Sequence, residues 1–160
     1  MSYRLYQLPG RTAERTRQVV EELARLYGGH PLMRFLCVDQ IVRPRGLDER
    51  DQVGMVRAIY EFVRDSIRFV AEPGEQVQTP ARTLLWGYGD CDCKTALTCA
   101  LLESVGLTWR TVLLSRNGVP FHILPQALVG GRWTHLEVSD KRALFGEDPR
   151  ELMRRIGVAL

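Results

Sequence analysis

The run Thr95-Ala96-Leu97-Thr98-Cys99-Ala100-Leu101-Leu102 is apolar on nearly every side, a pattern that suits a helix buried at the centre of a domain. The rest of the chain must then pack around it. Gly106 terminates this helix, and beyond it the period of the apolar residues changes from helical to two. Thr108 to Leu114 reads as a strand, Asn117-Gly118 as a tight hairpin turn, and Phe121 to Val129 as a second strand. Arg132 to Val138 reads as a third strand, joined across Gly130-Gly131. The expected class is α+β, with an antiparallel meander after the central helix. Pro125, inside the second strand, is the point at which a bulge would shift the register.

Upstream of the central helix the sequence is mainly helical. Tyr3 to Leu8 alternates like a short strand that Pro9-Gly10 ends. Thr12 caps a helix whose packing stripe is Val19, Val20, Leu23, Ala24 and Tyr27, and Gly28-Gly29 stops it. Pro31 starts a short helix through Cys37, while Pro44 and Gly46 mark a loop. Asp48 caps a helix over 49–66 with Val56, Ile59, Tyr60, Val63 and Ile67 along one face. Arg68 to Val70 is extended, and Ala71 to Gln78 forms a loop carrying Pro73-Gly74. Thr79-Pro80 then opens a short helix through Trp86, closed by Gly87 and Gly89. Asp148, Pro149 and Glu151 sign a last helix over 148–156. With 160 residues and no repeat or linker, the expectation is one domain over 1–160, a helical part over 11–66 preceding a core over about 68–140.

Charge and cysteine usage narrow the function classes. The formal charge is +3, from 22 basic and 19 acidic residues, and the basic ones gather only at Arg43-Pro44-Arg45 and Arg154-Arg155. Nucleic-acid binding, which needs a basic face with stacking aromatics, is not expected. No apolar run approaches the roughly 18 residues of a membrane span, and Met1 to Gly10 lacks the pattern of a secretory signal, so no membrane partner is expected. Four cysteines, three of them crowded between Cys91 and Cys99, do not resemble a secreted disulfide framework, and the expected location is the reducing cytoplasm.

The chemistry concentrates at Gly89-Asp90-Cys91-Asp92-Cys93-Lys94, where a cysteine falls at the start of the central helix. Unpaired N–H groups and the positive end of the helix dipole favour a thiolate there, which makes Cys91 a candidate nucleophile with a lowered pKa. A nucleophilic thiol needs a base and an orienter for that base. Of the three histidines, His30 lies in poorly patterned sequence, while His122 and His135 fall on the second hairpin. A two-residue turn at Gly130-Gly131 pairs Val129 with Arg132, Leu124 with Glu137 and His122 with Ser139. His122 and Glu137 then share a face as diagonal neighbours, within reach of one another. Successive helical residues turn by about 100°, so Cys93 points away from the side that carries Cys91 and is either packed or a redox partner. A zinc site built on Cys91, Cys93 and Cys99 with His30 or Cys37 is the alternative, and the lack of any Cys-x-x-Cys pair argues against it. The oxyanion of an acyl transfer would be met by the Cys91 N–H and a second donor from Gln76, Gln78 or Trp86.

Gly89-Asp90-Cys91-Asp92, followed by Leu101-Leu102-Glu103-Ser104-Val105-Gly106-Leu107, then His122 and Gly131-Arg132-Trp133-Thr134-His135-Leu136-Glu137, resembles the transglutaminase-like core of the papain-like cysteine enzyme superfamily. The likeness covers about Arg68 to Asp140, and Gln76-Val77-Gln78-Thr79-Pro80 resembles a small bacterial and phage-associated branch. It implies Cys91 as nucleophile, His122 as base and Glu137, where the family usually carries aspartate, as third member in preference to Asp140. It also favours Gln78 as the oxyanion donor and leaves His135 without a catalytic role. The implied activity is acyl transfer through a thioester, with hydrolysis of a peptide, isopeptide or amide bond expected because the chain lacks the extra domains of protein cross-linkers. The implied partner is a peptide or protein substrate, with no cofactor and no metal. Transamidation, or a catalytically silent interaction module on the same fold, are the alternatives.

Overall fold

The computed structural model describes residues 12–71 and 76–158. The expected strand at Tyr3–Leu8, and Pro73-Gly74 of the expected loop, lie outside these residues. Helix α1 (Ala13–Gly28) starts where expected, with the Thr12 hydroxyl accepting the Arg15 N–H at 3.3 Å. Its innermost line is Thr16, Val20, Ala24 and Gly28, four residues apart, flanked by the expected Val19, Leu23 and Tyr27 at its edge. Gly28 is where the helix comes nearest the centre: a Cβ there would stand 2.4 Å from Cβ of Glu103.

The stretch after α1 departs from expectation. Helix α2 (Pro31–Phe35) does not give way to a loop but runs on through a wide π turn at Leu36–Val42 and a tight 3₁₀ turn at Arg43–Arg45, ending at Gly46 with φ of 68°. Cys37, Val38, Ile41 and Val42 are buried, and burying all four holds the backbone helical past the point where Pro44 suggested a loop. Pro44 is accommodated because it occupies the first turn of the 3₁₀ segment, where no N–H is needed. The basic residues of this segment face acids of their own chain: Arg43 pairs with Asp39, and Arg45 with Glu61 at 2.5 Å. Helix α3 (Gln52–Ser66) begins three residues later than 49 because Asp51, and not Asp48, is its cap. Asp51 accepts the Gly54 N–H at 2.8 Å, while Asp48 accepts that of Arg50 in the preceding turn.

Strand β1 (Arg68–Phe69) pairs in parallel with β2 (Tyr88–Gly89), a two-residue strand absent from the sequence reading. Between them α4 (Pro80–Trp86) is capped by Thr79 and closed by Gly87, as expected. Helix α5 (Cys91–Ser104) follows β2 directly and is buried from Cys93 through Leu102, with α1, α3, α4 and the larger sheet packed against it. This is the central helix the apolar run called for.

The larger sheet has the order β3 (Trp109–Arg116), β4 (Val119–Val129), β5 (Arg132–His135), all antiparallel. Asn117 and Gly118 take φ of 51° and 76°, and Gly130 and Gly131 take 57° and 76°, the left-handed pairs that two-residue hairpin turns demand. Pro125 marks no bulge. It pairs with Thr111 in regular register, its carbonyl accepts the Leu136 N–H at 3.0 Å, and the register shift falls between Leu114 and Ser115 instead. The expected third strand is cut short at His135, although the chain beyond stays alongside β4. Helix α6 (Pro149–Arg155) is capped by Asp148 and packs Leu152 and Met153 inward. Among the described residues, no helix is long and apolar enough to cross a membrane.

Candidate functional site

Cys91 is the first residue of α5. Asp90 caps the helix, its carboxylate accepting the Cys93 N–H at 3.1 Å and its carbonyl that of Lys94 at 3.0 Å. The Cys91 N–H, at the first helical position, lies outside the ladder of the helix. The side chain is half-buried and packs on a small apolar cluster of Val20, Ala96 and Ile123, which Val77 and Leu113 also join. Ile123 directly follows His122, so the helix start and the histidine strand meet at this cluster.

The thiol is not the depressed one that a helix start by itself implies. Burial first, then the charges of Asp92 and Asp90, hold its pKa well above the ordinary value, while a hydrogen bond with the Ile123 backbone pulls it the other way. The Asp92 carboxylate stands 3.6 Å from Sγ. Burial and two nearby carboxylates oppose the helix dipole, whose influence is worth about 0.3–1 kcal/mol at an ordinary helix end.

His122 and Glu137 meet as the register argument requires. The ladder pairs Val129 with Arg132 and Gln126 with His135, and its continuation sets His122 diagonal to Glu137. Nε2 of His122 lies 2.6 Å from Oε2 of Glu137, with both side chains almost wholly buried, and Oε1 of Glu137 accepts the Ser139 N–H at 2.9 Å. Burial pulls the His122 pKa down, but the charge and hydrogen bond of Glu137, together with the charges of Asp92 and Asp140, outweigh it and the net displacement is upward. The bulge in β3 falls between Leu114, the residue paired with His122, and Ser115. Asp140, the rejected alternative, is gripped by Arg142, with contacts of 2.9 and 2.6 Å. His135 bonds to Gln126 at 3.0 Å, and His30 caps α2 by accepting the Leu32 N–H.

Gln78 is buried beside the first turn of α5, its backbone N–H donating to Sγ of Cys93 at 3.2 Å. Oε1 of Gln78 lies 3.4 Å from the Thr83 hydroxyl, which the Thr79 carbonyl also shares at 3.3 Å. Of the other two candidate donors, Gln76 is exposed, and Trp86 is exposed and stacked on Tyr88 with Arg82 over its ring. Cys93 is fully buried, with Sγ against the backbone of Gln76 and Gln78, whereas Cys91 packs on the Val20, Ala96 and Ile123 cluster. All four cysteines are thiols, and among the described residues no group of three or more His, Cys, Asp or Glu could hold a metal ion.

Lys94 went unnoticed in the sequence. It is fully buried, and Nζ donates to the Ile67 carbonyl at 2.6 Å and lies 3.5 Å from that of Arg64, closing the C-terminal end of α3. Burial brings its pKa down to about 8, against an upward pull from the Glu137 charge. The only available signal was a lone lysine at the head of an apolar run, and a solvated lysine gives the same signal.

The family model of the transglutaminase-like superfamily matches residues 40–138, more than half of the chain. The chain belongs to the transglutaminase-like superfamily. Gln78, Cys91, His122 and Glu137 all lie within the stretch that carries the superfamily likeness. Among solved structures, a candidate protease from Parabacteroides distasonis aligns over 76% of this chain with a TM-score of 0.54 and 14% identity. A candidate cysteine protease from Cytophaga hutchinsonii aligns over 53% with a TM-score of 0.45 and 19% identity. This chain covers 26% and 30% of those two proteins. No curated protein matches it. The α+β arrangement of a cysteine-headed central helix against an antiparallel sheet is thus the transglutaminase-like, papain-like core.

Proposed function

We propose that this transglutaminase-like protein is a cysteine-nucleophile acyl-transfer enzyme that hydrolyses a peptide, isopeptide or amide bond. The observation that carries the reading is the buried 2.6 Å contact between His122 and Glu137, on the strand that packs against the helix start bearing Cys91. With Nε2 engaged by Glu137, proton exchange with the thiol falls to Nδ1 of His122. Because burial and the carboxylates of Asp92 and Asp90 hold the Cys91 thiol up, the proton leaves as sulfur attacks the acyl carbon. Glu137 stabilises the imidazolium that forms, and general-base assistance of this kind contributes about 10²–10⁴ in rate. The oxyanion is received by the Cys91 N–H and the Gln78 side chain, with a well-aimed donor contributing about 10²–10³. The imidazolium then protonates the departing amine, leaving a thioester on Cys91. His122 next takes a proton from water, which attacks the thioester and frees the acid and the thiol. Water is the acceptor in this reading, in keeping with the description of the Parabacteroides distasonis protein as a candidate protease.

The test is acylation by p-nitrophenyl acetate, with mass spectrometry to locate the acetyl group. Acetylation at Cys91, rising with pH as His122 loses its proton above 6.5 and lost in Cys91→Ala and His122→Ala, is the expected result. Acetylation of Cys37 as fast as Cys91, or indifference to His122→Ala, would sink the reading. A peptide library read for cleavage and for amine incorporation then separates hydrolysis from transamidation.

A further inference from the structure

Gln76 to Thr79, the segment that carries Gln78, lies in neither helix nor strand, yet Gln78 is buried. A sulfur ties it to α5. The Gln78 N–H donates to Sγ of Cys93 at 3.2 Å, and the same thiol faces the Gln76 carbonyl at 3.9 Å, so one atom engages two backbone groups of the segment. Val77, between them, packs on the same apolar cluster as Cys91. The Cys93 side chain has room because residue 89 is glycine: a Cβ there would lie 2.6 Å from Cβ of Cys93. Resting on the function proposed above, we infer that Cys93 is a positioning residue, whose thiol clips the 76–78 segment to the first turn of α5 and so sets the Gln78 amide against the oxyanion formed at Cys91.

The clip needs a protonated thiol, since a thiolate would repel the Gln76 carbonyl. Burial and the neighbouring Asp90 hold the Cys93 pKa above its ordinary value, which keeps the proton in place at neutral pH. Cys93 acts through Gln78 and touches no reacting atom. A hydrogen bond from a donor misplaced by about 1 Å loses on the order of 10²-fold in rate, so a small movement of the segment is enough to register.

Two reactions at Cys91 separate positioning from general damage. Acylation by p-nitrophenyl acetate forms an oxyanion; alkylation by iodoacetamide displaces iodide from a saturated carbon and forms none. The rate ratio of the two therefore reads the oxyanion donors. Cys93→Ala should lower this ratio by about 10-fold or more, Cys93→Ser should restore most of it, and Cys93→Ala should have no further effect in a Gln78→Ala background. An equal fall in both rates, or effects of Cys93→Ala and Gln78→Ala that multiply, overturns the inference. If Cys93→Ala does not fold, as judged by circular dichroism, Cys93→Ser carries the test: a ratio as low as that of Gln78→Ala overturns the proposal. Failure of the wild type to acylate at Cys91 faster than at Cys37 removes the catalytic reading itself, and the positioning role with it.

Discussion

Replacing Glu137 with glutamine keeps the shape of the His122 partner and deletes its charge, so the substitution isolates the electrostatic part of the pair. The contact is 2.6 Å long and both side chains are about 95% buried, so solvent screens little of it. A charge-assisted hydrogen bond contributes about 1.5–3 kcal/mol, which at about 1.36 kcal/mol per unit amounts to one to two pKa units. In the wild type this term raises the pKa of His122 against burial, and the imidazole can accept a proton only above that raised value. The acid limb of kcat/KM therefore lies above pH 6.5. In Glu137→Gln burial is opposed only by the smaller pull of Asp92 and Asp140, and the limb moves toward lower pH by about one to two units. The plateau rate falls at the same time, by about 10²-fold or more, because the imidazolium of the transition state loses its counter-charge. Acetylation of Cys91 by p-nitrophenyl acetate, followed between pH 4 and 9, measures both quantities. An acid limb that stays in place, or one that moves toward higher pH, refutes the assignment of Glu137 as the charge behind His122.

Two further perturbations follow from the charges around α5. Asp92→Asn removes the carboxylate that stands first among the charges raising the Cys91 thiol, so alkylation of Cys91 by iodoacetamide should reach its half-maximal rate at a lower pH; no change would mean that the Asp92 charge does not act on the thiol. Lys94→Met tests the buried ammonium. Its pKa is about 8 in the folded chain against 10.5 ordinarily, so between these values the unfolded chain binds more protons and the wild type gains stability with rising pH. Relative to Lys94→Met that gain should total about 3 kcal/mol across the window, measured by urea unfolding at pH 7.5 and 10.5. Parallel stability curves for the two proteins would show that Lys94 titrates as it does in water.

Legibility followed the range of the interaction. Thr12, Thr79 and Asp148 could be named as caps because a cap and the N–H it accepts lie within three residues of one another. Asp48 and Asp51 compete for one helix start with the same local chemistry, and only the packed position of α3 chose Asp51. His122 and Glu137 lie 15 residues apart, yet their meeting was legible because the Gly130-Gly131 turn fixes a register that simple counting extends. The helical path through Ile41 and Val42 was not legible, because Pro44 and Gly46 give strong local signals and the burial that overrides them comes from distant partners.

The sequence by itself determined the central helix, the cysteine at its head, the two hairpin turns and, through them, the histidine–carboxylate face. Each of these follows from periodicity or from the conformational freedom of a few glycines, which act over one or two turns of chain. The protonation of Cys91, the burial of Lys94 under the end of α3 and the bond from Gln78 to Cys93 were decided only by the tertiary structure. They depend on how much water is excluded and which charges are brought within a few ångströms, and those quantities exist only once segments 15 to 30 residues apart have packed together.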